Sequence, residues 1–164
     1  LDARDRELMQ HSLFLGLEMR SEAVEHEPGE LLVRNIIGAD EGSGALAVGA
    51  ELRPMTVAQF VVRDAHSAEE ELRRMLVRHR HAVGRPAGAL LFSCVGRGEG
   101  LFGYPDHDTG LFEEQLGPAP LGGFFCNGEI GPVGGTTFLH GYTSAFAIFR
   151  EAHGGEAEQR PSGV

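Results

Sequence analysis

Leu90–Gly100 reads LLFSCVGRGEG and Pro120–Gly135 reads PLGGFFCNGEIGPVGG. In each, an apolar strand ends on a cysteine and runs into a polar, glycine-rich loop. Glycine lets the backbone take positive φ or approach a bound group closely, so two such loops at the ends of buried strands point to a shared site. Ala87–Cys94 is continuously apolar, as befits a strand covered on both faces. Asp106 or Asp108 can cap a short helix ending at Gly117-Pro118, and Leu121–Cys126 is the next strand. Such a strand-helix-strand unit favours parallel neighbours.

Working outward, residues 2–20 offer an N-cap at Asp2 and a stripe of Met9, Leu13 and Leu17, which predicts a helix. Leu31–Ile37 and Ala45–Ala50 flank the turn-rich Asp40–Gly44 and read as a hairpin, and Met55–Arg63 makes a third strand. Ser67 and Glu70 form a capping box for a helix over 67–81, with Ala68, Leu72, Met75, Leu76 and His79 on one face. Its Arg73, Arg74, Arg78 and Arg80 have Glu69, Glu70 and Glu71 as helical-spacing partners. A last strand is expected from Thr136 to Phe149. The class is α+β, a mixed β-sheet flanked by helices in the order α-β-β-β-α-β-α-β-β. One domain over residues 1–150 and a disordered tail over 151–164 are expected.

The chain has 164 residues and a formal net charge of −10, which opposes binding to nucleic acid. All 14 basic residues are Arg, which removes Schiff-base, P-loop and general-base lysines. Two cysteines do not make a disulfide scaffold and suit a reducing compartment, so a cytoplasmic location is expected. No apolar run reaches the roughly 18 residues of a membrane helix. The opening LDARDRE, without Met or a leader pattern, reads as the start of a piece of a longer protein.

Several motifs together resemble the C-terminal domain of the FIST family, named for F-box and intracellular signal transduction. They are SCVGRG, GGFFCNGEIGPVGG and FLHGY, with Leu32–Asp40 similar to a family strand and Ala58–Ala65, Ala68 and Leu72 similar to a later element in which Glu71 replaces the usual Asp. The resemblance spans about residues 5–150. It implies a sensory domain that binds small molecules such as amino acids, alone or joined to signalling modules, with no established catalysis and no cofactor. It also implies an N-terminal partner half, whose GCStaGe motif Phe125–Glu129 echoes.

The expected ligand-binding set is Cys94, Gly96, Arg97, Gly98, Cys126, Asn127, Gly128, Glu129, Gly134 and His140. Arg97, between two glycines, is suited to clamp a carboxylate or else faces solvent. Glu129 is suited to a ligand ammonium or to capping amides of its own loop. Cys94 and Cys126 read as a redox or nucleophilic pair, with His140 or Glu129 as base, or as two small buried apolar groups. His140 shares a strand face with Phe138 and Tyr142, where a hydrogen-bonded core histidine is the plain reading. No metal-ligand spacing is present, and the Gly96–Gly103 pattern lacks the helix offset, acid and lysine of a nucleotide loop. Arg34, on the face of Leu32 and Ile36, needs a partner such as Asp40, Asp64 or a ligand carboxylate. A cysteine-dependent enzyme and a ligand-free interaction scaffold remain the competing readings.

Overall fold

A computed structural model describes residues 3–18, 31–133 and 136–151. The chain is α+β. Among these residues the elements are α1 (Ala3–His11), β1 (Leu13–Glu18), β2 (Leu31–Asp40), β3 (Ala45–Val48), β4 (Ala58–Val62), α2 (Ala65–Val83), β5 (Gly88–Cys94), α3 (Glu99–Phe102), α4 (His107–Leu116), β6 (Leu121–Cys126), β7 (Glu129–Val133), β8 (Thr136–His140) and β9 (Ser144–Phe149). They build an antiparallel sheet β3-β2-β1-β4, a mixed sheet β6-β5-β9 and the hairpin β7-β8.

The helix expected over residues 2–20 stops at His11, and Leu13 and Leu17 lie on β1 instead. Phe14, Leu15 and Leu17 are all buried there, in a strand paired on both sides, with β2 and β4. A stripe at helical spacing cannot report a segment whose intervening residues are buried as well. The expected β2–β3 hairpin forms, with Gly42 N donating to the Asp40 carboxylate in its turn. In α2, Asp64 rather than Ser67 is the cap: its carboxylate accepts from Ser67 N at 2.9 Å. Ser67 and Glu70 therefore sit inside the helix, so the expected capping box does not form. The last expected strand is divided, because Tyr142 at φ +62° turns the chain between β8 and β9. Two short elements, α3 and β7, complete the order α-β-β-β-β-α-β-α-α-β-β-β-β. Gly134, and the tail from residue 152 onward, lie outside the described residues.

Strand β5 is the hub of the second half. It pairs parallel with β6, as the strand-helix-strand reading expects, and antiparallel with β9. The β5–β6 register sets Cys94 opposite Cys126. Gly123, at φ +153°, is needed for this approach, since a Cβ there would lie 1.9 Å from the Leu91 carbonyl oxygen. Helices α2 and α4 cover the sheet through Leu72, Leu76, Leu111, Phe112 and Leu116, against which Leu121, Phe146 and Ile148 pack. Phe112 is 1% exposed and stacks on Phe146.

Phe112→Ala should cost about 3–5 kcal/mol in denaturant unfolding by emptying this layer. Gly123→Ala should cost at least about 1–3 kcal/mol from the backbone alone. A loss below 1 kcal/mol at either position would contradict the packing described, a threshold set roughly by the spread of surface substitutions.

Candidate functional site

Between the β5–β6 pair and the α3–α4 connection lies a cavity of about 490 Å³. Its apolar side is Leu91, Leu121, Phe124 and Phe125, and its polar side is Ser93, Arg97, Glu99, Asp106, Asp108 and Thr109, with His107 beside them. The charged floor is built from three segments. Arg97, in the turn after β5, is 6% exposed and holds Asp108 of the first turn of α4 with two parallel bonds, Nε to Oδ2 and Nη2 to Oδ1, each 2.9 Å. Ser93 Oγ of β5 donates to Asp108 Oδ2 at 3.0 Å, and Ser144 Oγ of β9 donates to the same oxygen.

Burial pushes the Asp108 carboxyl upward, but the Arg97 bonds and charge, with help from Ser144 and His107, outweigh it and hold the group at about 2. His107 meets Asp108 Oδ1 through Nδ1 at 2.9 Å, faces Glu69 of α2 through Nε2 at 3.5 Å, and lies flat on Phe102 at 3.4 Å. Arg73 continues the chain of charge by bridging Glu69 and Glu114. Ser93, His107 and Asp108 do not make a nucleophilic triad, because the serine binds the aspartate directly and the far imidazole nitrogen faces a carboxylate.

Of the expected site residues, Arg97 and Gly98 line this cavity. Arg97 is not solvent-facing, and its Nε and Nη2 are committed to Asp108 rather than to a ligand carboxylate. Gly98 lies near the Phe125 ring, which a Cβ would meet at 3.6 Å. Gly96 stands behind, where a Cβ would fall 2.5 Å from Tyr142 Cδ1, and its carbonyl accepts from Arg63 Nη1 at 2.9 Å. That Arg63 guanidinium lies 4.2 Å over the Tyr142 ring, whose edge meets Phe14 of β1.

Cys94, Cys126, Asn127, Gly128, Glu129 and His140 gather elsewhere, around the start of the β7–β8 hairpin. Glu129 is 3% exposed and accepts from Thr143 Oγ1 at 2.8 Å and from Cys126 Sγ at 3.3 Å. His140, opposite Glu129 in the hairpin register, uses its Nε2 on the Gly131 carbonyl at 3.0 Å. Asn127 is exposed in the turn. Cys94 and Cys126 are free thiols. Burial pushes the Cys126 thiol above its ordinary range, and the Glu129 carboxylate pushes it further, the reverse of what a nucleophilic thiolate needs. Arg34 donates to the Leu139 carbonyl at 2.8 Å, whereas Asp64 takes Arg4 and Asp40 takes Ser43. Among the described residues no group of three or more His, Cys, Asp or Glu is placed to hold a metal ion, and no helix is long and apolar enough to cross a membrane.

Sequence reasoning missed Ser93, Glu99, His107, Phe124, Phe125 and Ser144 as parts of a site, and took Asp106 and Asp108 only as caps. Asp106 does precede α4, but at φ +60° and with no side-chain cap bond. The signal available was Pro105–Asp108, PDHD, where three polar side chains crowd a helix start.

A parallel strand pair, a covering helix layer and a pocket floored by a buried ion pair define an α+β architecture with a built cavity. The chain belongs to the FIST C family, whose domain model matches residues 1–132. This is a domain associated with signal transduction. It is 40% identical over 150 residues to a Mycobacterium bovis protein described as uncharacterized, Mb0898c, covering 91% of this chain and 39% of the relative. A second uncharacterized protein, MT0656 of Mycobacterium tuberculosis, is 40% identical over 146 residues, 88% of this chain and 38% of its own. The F-box/LRR-repeat protein At5g63520 of Arabidopsis thaliana is 28% identical over 151 residues, 82% of this chain and 28% of that protein. The chain thus spans about two fifths of the length of its mycobacterial relatives. No solved structure matches it.

Asp108 has a folded pKa of about 2, below the roughly 3.9 of an unfolded aspartate, so it adds stability that is complete above about pH 4 and lost as pH falls toward 2. Asp108→Asn should lower stability by about 3 kcal/mol near pH 6, since it leaves Arg97 buried without its counter-charge. The gap to the unchanged protein should narrow between pH 4 and 2 in thermal melts, and a gap constant with pH would exclude this role. Cys126 should react slowly with iodoacetamide at pH 7 and faster in Glu129→Gln, while fast labelling of the unchanged protein would reverse the assignment.

Proposed function

We propose that this is a small-ligand-binding sensory domain in intracellular signal transduction, with an amino-acid-like ligand in the cavity beside Arg97 and Gly98. The carrying observation is the cavity itself, which runs along β6 from Leu121 to Phe125 and is closed by the turn that follows β5, where Arg97 and Gly98 stand. Its volume suits a small molecule, and its apolar and polar sides suit an amphipathic one. Membership of a signal-transduction family supports the sensory role.

In this reading residues 1–150 work as one half of a longer cytoplasmic protein, paired with an N-terminal half and read out by attached modules. The length of the relatives and the F-box/LRR-repeat name of one of them support attachment to other parts. The net charge of −10 argues against nucleic acid as the partner. A cysteine-dependent activity draws no support from the raised Cys126 thiol.

A melting screen against amino acids and small amines should find stabilising ligands. One present at 100 times its dissociation constant adds about 2.7 kcal/mol. Filling the cavity, for example with Gly98→Phe, should abolish the shift without unfolding the protein. A shift that survives this substitution would move the site elsewhere.

A further inference from the structure

Resting on the cavity as the ligand site, we propose that it selects its ligand by a cationic group, an ammonium on an apolar body, and not by a carboxylate. The groups able to attract an anion are largely committed to carboxylates of the chain itself. Arg97 gives Nε and Nη2 to Asp108, and His107 lies between Asp108 and Glu69. The amide dipoles at the start of α4 are met by the chain's own Asp108 in the first turn.

What remains uncommitted has the opposite sign. Glu99 and Asp106 both line the cavity, and neither carboxylate has a hydrogen-bond or ion-pair partner among the described residues. Three carboxylates against one guanidinium leave the lining net negative. The Phe125 ring borders the same cavity beside Gly98, and Phe125 is 61% exposed. Phenyl faces attract cations and gain nothing from carboxylates. An ammonium within reach of both acids thus forms charge-assisted bonds at no cost in existing ones. A carboxylate in the same place meets two like charges and competes with Asp108 for Arg97. An amino acid would be held by its amine, with its carboxylate turned outward.

Three probes of the same body separate these cases: phenethylamine, L-phenylalanine and 3-phenylpropionate, followed by calorimetry and melting of the whole protein. Phenethylamine should bind and stabilise, phenylalanine should bind more weakly, and phenylpropionate should not bind. Raising the salt concentration should weaken the amine. Glu99→Gln and Asp106→Asn should each weaken phenethylamine about tenfold, without lowering the melting temperature of the free protein, because both side chains are exposed. Phenylpropionate binding more tightly than the amine, or an affinity unchanged in the double variant, would overturn the proposal while leaving the cavity as the site. Binding of none of the three at millimolar concentration would remove the cavity as a site and the proposal with it.

Discussion

The buried pair of Arg97 and Asp108 is the constraint on which the second half of the domain depends. Taking both charges out of water is costly, and the cost is offset only when every remaining lone pair and proton is engaged. Asp108 meets this condition by drawing bonds from three segments: the end of β5 and its turn, the start of α4, and the start of β9. A carboxylate so surrounded fixes where those segments begin and end. The cavity wall inherits that rigidity, because Arg97 and Asp108 form part of it.

The same pair marks how far the residues alone could be read. Hydrophobic runs bounded by Gly and Pro located β2 through β6 and α2, since each is a long local pattern. β1 escaped because Leu13 and Leu17 satisfy helical spacing equally well, and only pairing with β2 and β4 makes the buried Phe14 and Leu15 decisive. The break between β8 and β9 depends on a positive φ at Tyr142, a residue whose chemistry gives no hint of it. Arg97 stood out as unusual between two glycines. Its partner did not, because Asp108 also fits the commoner role of a helix cap and lies beyond the α3 turn.

The glycine-rich family motif proves to hold architecture as well as to signal kinship. In GGFFCNGEIGPVGG, Gly123 permits the β5–β6 contact, and Glu129 is buried against Cys126 and Thr143, tying the hairpin to the turn before β9. Among its described residues, the front part, Gly122 to Phe125, reaches the cavity. A motif can therefore be specific to a family while most of its residues serve the frame around a site.

Arg63 directly follows β4 of the antiparallel sheet, yet its guanidinium grips the Gly96 carbonyl one residue before Arg97 and lies against Tyr142, while its own amide bonds to Ser12. One side chain thus joins β1 and β4 to the turn that carries the cavity floor. Sheets linked only by loops would exchange their amide hydrogens as separate units. Here the opening of that turn strips Arg63 of its acceptor and of its Tyr142 contact, so the slowest-exchanging amides of β1 and β5 should behave as a single cooperative unit.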